Sequence, residues 1–270
     1  MNFIEKLDSI IDENNSLLCV GLDIDKDKIP MFLLNDSKNP YFDFNKSIVD
    51  ETKDIVCAYK LNMAFYESLG FEGFQILKKT VDYIPKNIIT ILDGKRNDIG
   101  NTARMYAKSI YGNFKVDSTT LNAYLGIDSI KPFLEYKNKC NFVLCRTSNQ
   151  SAKDFQDLII SNSPLYQIVA TKIKQWNENQ DLGAVVGATY PDELKVVRKI
   201  LGDNIPILIP GVGSQGGDVE KTIKNGTNYE GKMALINSSR GIIYAGKNED
   251  FSVKSREAAI KTRDLINKYR

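Results

Sequence analysis

The chain has 270 residues, of which 42% are hydrophobic and 26% are charged, and its formal net charge is +2. This near-neutral charge gives no indication of a nucleic-acid or membrane surface, and no apolar stretch approaches the roughly 20 residues that a membrane span requires. The N-terminus has no signal-peptide pattern. We therefore expect a cytoplasmic protein in which residues 1–270 form one domain.

The sequence contains no histidine, which excludes Ser-His-Asp catalysis, Cys-His catalysis and His-ligated metal sites. Its four cysteines lie in or beside apolar runs and show no CxxC spacing. This pattern favours buried, reduced thiols over disulfides or a zinc site. Acid–base chemistry must then rest on Asp, Glu, Lys, Tyr or Cys side chains.

Short apolar runs alternate with amphipathic stretches along the chain. The N-terminal stretch "MNFIEKLDSIIDENN" predicts a short amphipathic helix. Strands are predicted at 17–23, 55–61, 88–93, 116–121, 141–145, 182–187, 205–210 and 233–237. Helical patterns lie at 71–83, 98–111, 164–178, 191–201 and 252–268. Eight such units predict an α/β fold, a closed (β/α)8 TIM barrel with an N-terminal helix before its first strand. A doubly wound open sheet is the alternative, but no GxGxxG motif follows the first strand.

Charged residues stand at the ends of the first three predicted strands. Asp23 ends the first, Lys60 ends the second, and Asp93 with Lys95 ends the third. Side chains at the C-terminal ends of barrel strands face the active-site mouth. Residues two apart on a continuing strand point to the same side, so Asp93 and Lys95 can share that mouth. Opposite charges held together there stabilise each other and offset the cost of desolvation.

Each of these charges also has a purely structural interpretation. Asp98 precedes a helical pattern and would make an ordinary N-cap. Lys95 and Arg96 could be solvated turn residues, and Asp23 could satisfy neighbouring backbone N–H groups. The coincidence of four charged strand ends in the first three units favours a charged site over these separate explanations.

Two late segments have the character of phosphate-binding loops. "PGVGSQGG" at 210–217 and "NSSRGIIYA" at 237–245 follow the seventh and eighth predicted strands, and each precedes a helical start. Glycine-rich loops and helix N-termini favour anions, and barrels commonly bind phosphate at this position. Arg240 would clamp the phosphate oxygens and Gln215 would donate from the other side. Two flexible turns are the structural alternative.

The longest predicted non-strand intervals follow strands one and five. The second of them contains "RTSNQSAKDFQDLIISNSP", at 146–164, which is polar and loop-like. Its length predicts a lid over the site.

The run "LDGKRNDIGNTA" closely resembles the Asp-x-Lys-x-x-Asp-Ile motif of orotidine 5'-monophosphate decarboxylases. The segments "VGLDID", "YKLN", "TLNAYLG", "PGVGSQGGD" and "SSRGIIYA" match that family in order and spacing. The resemblance extends from about residue 17 to residue 245 and is strongest to the group often called type 2. It implies a TIM barrel that decarboxylates orotidine 5'-monophosphate to uridine 5'-monophosphate (UMP) and CO2, the last step of de novo UMP biosynthesis, without a metal or other cofactor.

The resemblance assigns the catalytic roles to a tetrad. Lys95 is similar to the family's proton donor to pyrimidine C6, and Asp93 resembles the carboxylate placed against the departing carboxylate of the substrate. Lys60 and Asp98 resemble the remaining members of the ion array, which also touch the ribose. Asp98 in that family reaches into the neighbouring subunit's site, so the resemblance implies a homodimer with shared active sites.

The resemblance also implies a set of substrate-binding residues. Ile99 and Thr102 would cross into the neighbouring subunit with Asp98, and Asp23 and Asn62 would surround the ribose. The pyrimidine would meet Ser148, which also orders the lid, and Pro210. The phosphate would be held by Gln215 and Arg240. Asn122, in "TLNAYLG", completes the expected substrate-binding set.

Three other functions remain in competition. A related sugar-phosphate lyase, such as a keto-gulonate-phosphate decarboxylase, shares the Asp-x-Lys-x-x-Asp motif but uses a metal ion, which the cation at Lys60 would repel. A Schiff-base aldolase would use Lys60 or Lys95 as nucleophile, which neighbouring carboxylates oppose because they favour the protonated ammonium. A non-catalytic phosphate-binding barrel would keep the phosphate clamp without turnover.

Overall fold

The computed structural model describes residues 1–211 and 218–270, and it contains a closed barrel of eight parallel strands. Numbered β1 to β8 in chain order, the barrel strands are Leu18–Gly21, Ala58–Asn62, Ile89–Arg96, Ser118–Leu121, Cys140–Arg146, Leu182–Val186, Ile207–Pro210 and Ala234–Ser238. Each strand pairs with its neighbours in sequence, and β1 pairs with β8 to close the barrel. The predicted TIM barrel is confirmed.

Helices surround this barrel. Within the described ranges, the α-helices α1 to α12 are Phe3–Asn14, Met31–Asp36, Pro40–Thr52, Met63–Glu67, Gly70–Tyr83, Gly100–Ala107, Lys131–Leu134, Leu165–Trp176, Pro191–Leu201, Val219–Gly226, Arg240–Ile243 and Phe251–Asn267. A π-helical segment spans Lys108–Phe114, and 3-10 helices span Ile127–Ser129 and Gln150–Asp154. In the parts of the chain that the structure describes, no helix combines the length and apolarity needed to cross a bilayer.

The predicted N-terminal helix is confirmed as α1, which lies across the N-terminal end of the barrel. It begins with a capping box in which Asn2 and Glu5 satisfy each other's backbone N–H groups. Its Phe3 ring packs edge-on against Phe142 of β5, with ring centroids 6.1 Å apart. Lys6 forms an ion pair of 2.8 Å with Asp117, just before β4. The helix therefore closes the end of the barrel opposite the strand C-termini.

All eight predicted strands exist, and their sequence explains why. The barrel strands are buried almost throughout their length, as expected where helices cover the outer face of a parallel sheet. The second predicted strand began three residues too early, because Ile55 still closes a turn on Thr52. The third ended three residues too early, because β3 continues through Lys95 to Arg96.

The extension of β3 is irregular. Its register to β4 shifts between Leu92 and Arg96, and Lys95 has a φ of +47° in the left-handed region. The Lys95 backbone N–H donates to Thr120 Oγ1 of β4 at 2.9 Å instead of continuing the regular ladder. A non-glycine residue in this conformation is uncommon and needs such support from its surroundings. Asp93 and Lys95 share the same mouth as predicted, but a bulge rather than a regular strand holds Lys95 there.

The interval after β5 contains more structure than its polar sequence predicts. The 3-10 helix Gln150–Asp154 is followed by a small antiparallel hairpin formed by Ile159–Ile160 and Ser163–Pro164. Both isoleucines of the hairpin are exposed. Lid movement of this segment stays a prediction.

A buried arginine ties together the helix and strand ends around β7 and β8. Arg198 of α9 donates five hydrogen bonds of 2.6–3.0 Å to the carbonyls of Gly202, Ile205, Gly226 and Met233. Burial lowers the pKa of Arg198 to about 10, so the side chain still carries its charge at neutral pH. This one side chain therefore donates hydrogen bonds to four backbone carbonyls.

We expect Arg198→Met to lower the free energy of unfolding by at least about 3 kcal/mol, because several buried carbonyls lose their donors at once. Equilibrium denaturation in urea measures the change. Lys199→Met is the matched control, since it removes the same charge from the exposed face of α9 and should change stability by less than about 0.5 kcal/mol. Equal effects of the two substitutions would contradict the anchoring role.

Candidate active site

A cavity of about 530 Å³ opens at the C-terminal ends of the barrel strands. This is the end of the fold at which barrel enzymes carry their active sites. The predicted site residues that line the cavity are Asp23, Lys60, Asn62, Asp93, Lys95, Ser148, Pro210 and Arg240. These eight predicted residues come from six of the eight strand ends and meet at one mouth, as the strand-end pattern predicts.

Three of these residues form a continuous network of charge. Lys60 Nζ lies 3.1 Å from Asp93 Oδ2, and Lys95 Nζ lies 2.8 Å from the other carboxylate oxygen, Oδ1. Lys60 also faces Asp23 Oδ1 at 3.6 Å. The side chains of Lys60 and Asp93 are 5% and 10% exposed, whereas that of Lys95 is 49% exposed. The network thus has a buried interior and one ammonium that extends into the cavity.

The network favours the charged form of its buried members. Burial alone would lower the pKa of Lys60, but the carboxylates of Asp23 and Asp93 outweigh it and raise that pKa above its ordinary value. Burial alone would raise the pKa of Asp93, yet the ammoniums of Lys60 and Lys95 and their hydrogen bonds hold it well below its usual range. A lysine with a raised pKa is a poor Schiff-base nucleophile, so this geometry disfavours the aldolase hypothesis for Lys60.

Thr120 is a member of the site that sequence reasoning missed. Its hydroxyl donates to Asp93 Oδ1 at 2.8 Å and accepts from the Lys95 backbone N–H at 2.9 Å. It therefore links the carboxylate to the bulge that aims the lysine. A threonine in a buried strand carries no special signal, and only the position of Thr120 at the C-terminal end of β4 could have indicated it.

Asp23 and Asn62 occupy the edge of the network. The Asn62 backbone N–H donates to Asp23 Oδ1 at 3.3 Å, so Asp23 satisfies a backbone group as well as facing Lys60. The side-chain oxygen of Asn62 accepts from the Ala64 N–H and caps α4. Both predicted site residues line the cavity and also hold the ends of β1 and β2 in place.

Close backbone approach shapes two walls of the cavity. A Cβ atom on Gly21 would lie 1.9 Å from Ser239 Oγ, next to Arg240. A Cβ atom on Gly187, just after β6, would lie 2.7 Å from the Cβ of Ser148. Glycine is required at both points because any side chain would push the cavity lining out of position.

Four predicted residues do not line this cavity. Ile99 is 57% exposed and Thr102 is also exposed, while the half-buried Asp98 accepts a hydrogen bond from the Ile99 N–H at 2.8 Å. The alternative in which Asp98 is a helix N-cap is wrong, because α6 begins at Gly100 and Ile99 occupies the cap position. Asn122 lines an adjacent apolar cavity. Gln215 lies outside the described residues.

The sequence also allows Lys95 and Arg96 to be solvated turn residues, and the structure places Arg96 away from the site. Its guanidinium pairs with Glu67 at 2.6 Å and lies 5.0 Å from the ring centroid of Tyr106. It does not line the cavity, so the structure separates Arg96 from Lys95, which does. Arg96 instead joins the end of β3 to α4 and α6.

The donor set of the site suits an organic anion better than a metal ion. Within residues 1–211 and 218–270, no group of three or more His, Cys, Asp or Glu residues is placed to hold a metal ion. Asp23 and Asp93 are already paired with Lys60, and a divalent cation beside that ammonium would be repelled.

Comparison with known proteins agrees with this geometry. The family model described as "Orotidine 5'-phosphate decarboxylase / HUMPS family" matches residues 16–252. A protein of Dehalococcoides mccartyi called orotidine 5'-phosphate decarboxylase is 46% identical over 274 residues, covering 100% of this chain and 99% of the relative. This chain belongs to the orotidine 5'-phosphate decarboxylase / HUMPS family. A protein of the same name from Cupriavidus metallidurans is 44% identical, with 100% and 99% of the two chains covered.

Solved structures of the family have the same fold. The Leishmania donovani OMP decarboxylase superposes with a TM-score of 0.87 at 33% identity, covering 100% of this chain and 98% of that chain. The Leishmania donovani UMP synthase superposes with a TM-score of 0.88 at 35% identity, covering 99% of this chain but 56% of that longer chain. The family fold therefore extends over essentially all of the present sequence.

We expect Asp93→Asn to lower the free energy of unfolding at neutral pH by about 3 kcal/mol, because the buried Lys60 ammonium loses one of its two carboxylates. The folded pKa of Asp93 lies below its unfolded value near 3.9, so its stabilisation is complete above about pH 4 and is lost as pH falls further. The stability difference between the two proteins should therefore narrow below about pH 4. Urea denaturation at a series of pH values measures it.

Asp82→Asn is the control for this experiment. Asp82 pairs with Lys78 on the exposed face of α5, so the substitution should change stability by less than about 0.5 kcal/mol at any pH. A constant difference between the protein and its Asp93→Asn variant from pH 3 to pH 7 would contradict the lowered pKa of Asp93.

Proposed function

We propose that this protein decarboxylates orotidine 5'-phosphate to UMP and CO2, the last step of de novo UMP biosynthesis, without a metal or other cofactor. The observation that carries the proposal is the Lys60–Asp93–Lys95 network, in which a half-exposed ammonium is held at 2.8 Å from a buried carboxylate inside the cavity. The names of the full-length relatives support it.

The reaction creates a negative charge at C6 that must be stabilised by nearby positive charge. When the bond between C6 and the carboxylate breaks, its electron pair stays on C6 in the plane of the ring, where no π-system delocalises it. The Lys95 ammonium stabilises the developing charge and gives its proton to C6, which leaves a neutral amine and releases CO2. Asp93 and Thr120 hold the lysine in position during this step. Lys60 keeps Asp93 ionised and orients the ribose with Asp23 and Asn62 from the same cavity.

Other residues of the cavity hold the pyrimidine and the phosphate. Ser148 contacts the pyrimidine and Pro210 lies above it, while Arg240 and Gln215 hold the phosphate. Barriers of this kind call for roughly 20 kcal/mol of stabilisation, more than one ion pair supplies. Binding energy from the phosphate is therefore converted into closure of the loop after β5 and orientation of the ring.

The sugar-phosphate lyase is the competing function within the same family. That chemistry requires a metal ion near the end of β2, where this chain has the buried Lys60 between two carboxylates. An ammonium in this position takes the place of the metal's charge and excludes the ion itself. Activity that survives removal of divalent metals separates the two functions.

We further propose a homodimer with shared active sites. Asp98, Ile99 and Thr102 lie on the loop and first turn after β3, away from the cavity of their own chain, and they complete the cavity of the second subunit. Exposed apolar side chains on the neighbouring surface, Met105 and Tyr124, support this face as the interface. The four free, buried cysteines support a reducing cytoplasmic location, and residues 1–270 act as one domain.

We expect Lys95→Ala to lower kcat by at least about 10³-fold, because the variant loses both the proton donor and the charge that stabilises the C6 carbanion. Binding of UMP should persist, since the phosphate-binding residues are unchanged. The rate is measured from the change in ultraviolet absorbance as orotate becomes uracil, in buffer containing EDTA, and UMP binding is measured by calorimetry.

Lys195→Ala, on the exposed face of α9, is the matched control and should leave kcat unchanged. Unaltered turnover in Lys95→Ala would exclude this lysine as proton donor. Recovery of a lost activity on adding Mg²⁺ after EDTA treatment would favour the sugar-phosphate lyase.

We expect complementation between two inactive variants, Lys95→Ala and Asp98→Ala. If each site combines Lys95 of one subunit with Asp98 of the other, mixed dimers contain one intact site out of two. A statistical mixture of subunits should then recover about a quarter of the unmodified activity. Subunits are mixed after mild denaturation and assayed at a series of ratios. Absence of recovered activity in a mixture shown to contain mixed dimers would overturn the shared site.

A further inference from the structure

A buried arginine lies behind the cavity at the end of β5. The side chain of Arg146 is 1% exposed, and its guanidinium carbon lies 3.8 Å from the ring centroid of Tyr190, which precedes α9. Its Nη1 donates to Gln156 Oε1 and its Nη2 to Asp157 Oδ2, each at 3.2 Å. Arg146 does not line the cavity, so any effect on the site must pass through its neighbours.

Gln156 carries the connection from Arg146 to the cavity. Its Oε1 also accepts from the Thr147 backbone N–H at 2.8 Å, and its Nε2 donates to Thr147 Oγ1 at 2.8 Å. One amide group thus holds the main chain and the side chain of the first residue after β5. Thr147, Gln156 and the next residue, Ser148, all line the cavity.

Ser148 is confined from the opposite side as well. Gly187 packs so closely that a Cβ atom there would lie 2.9 Å from the Ser148 backbone nitrogen. The Gly187 N–H donates to the Arg146 carbonyl at 2.8 Å, which fixes β6 against the end of β5. The Gln156 clamp and the glycine contact together leave little freedom for the Ser148 backbone.

A guanidinium is a costly way to fill this space. Burial of a charge is unfavourable unless it is paired, and an apolar side chain of similar volume often stabilises a protein as much or more. Arg146 can, however, stack on an aromatic ring while its planar fork reaches two acceptors in the loop. A Met or Leu side chain would fill the same volume without determining where Gln156 lies.

We propose that Arg146 is a positioning residue: through Gln156 it fixes the backbone at Thr147 and so holds the Ser148 hydroxyl at the pyrimidine end of the cavity before substrate binds. The inference rests on the proposed function, because the position of Ser148 matters only if that residue contacts the base. Such preorganisation is valuable because a displacement of about 1 Å can cost 100-fold in rate.

The experiment is a double-mutant cycle with turnover of orotidine 5'-phosphate as the readout. Arg146→Met and Gln156→Ala are each made alone and together with Ser148→Ala, and kcat and KM are measured separately. We expect each single change to lower kcat/KM by about 10- to 100-fold. In the Ser148→Ala background, the same changes should lower kcat/KM by less than about twofold, because the side chain that they position is already absent.

Asp157→Asn is the matched control. It neutralises the exposed partner of Arg146 but leaves the Gln156 clamp intact, so kcat/KM should change by less than about twofold. Circular dichroism and thermal unfolding establish that each variant is folded. If Arg146→Met does not fold, Arg146→Lys tests the same coupling, since a lysine keeps the buried positive charge but lacks the planar fork that reaches both Gln156 and Asp157.

Two results would overturn the inference. Folded Arg146→Met or Gln156→Ala with unchanged kcat/KM would show that the clamp is not needed. Effects that multiply with that of Ser148→Ala would show that Arg146 and Gln156 act independently of Ser148, as a purely structural role would. Absence of turnover in the unmodified protein would instead contradict the proposed function itself.

Discussion

The constraint on which the site depends is that charges buried at the end of a barrel must neutralise one another. Lys60 and Asp93 are nearly inaccessible to water, and neither would be tolerated there alone. Parallel pairing of β2 and β3 places Asn62, the last residue of β2, beside Asp93, so Lys60 and Asp93 lie close together. The ion pairs then hold the site in one arrangement, because any large displacement would leave a buried charge without its partner.

The same constraint explains the irregular end of β3. A regular strand would place Lys95 on the same side as Asp93 but would leave its backbone in the ladder with β4. At the bulge, the Lys95 backbone N–H donates to the Thr120 hydroxyl, which in turn donates to the Asp93 carboxylate. Backbone strain at one residue is thereby compensated by hydrogen bonds to its neighbours. The Lys95 ammonium is therefore held in a fixed position but stays half-exposed, so that it is accessible to a ligand in the cavity.

Sequence reasoning recovers the parts of the protein that depend on periodicity and strand direction. Apolar runs identify all eight strands, and parallel strands bring Asp23, Lys60 and Asp93 together at one end. It misses what depends on exact local geometry: the left-handed conformation of Lys95 and the role of Thr120 have no distinctive pattern in a single sequence. Sequence reasoning also misses the hairpin of Ile159–Ile160 and Ser163–Pro164, because the polar residues around these short strands indicate a loop.

The site divides into a rigid half and a half built on loops, and each half faces a different physical problem. The half formed by β1 to β4 holds charge in position, and strand pairing together with ion pairing supplies that order when the chain folds. The half formed by the described residues after β5 and β8 lies beyond the ends of the paired strands, so strand pairing cannot fix it. Side-chain clamps such as Gln156 on Thr147 restore order there at single points. A barrel can thus combine an electrostatic centre held by strand pairing with a cavity wall held by side-chain clamps, because the two are carried by different strand ends.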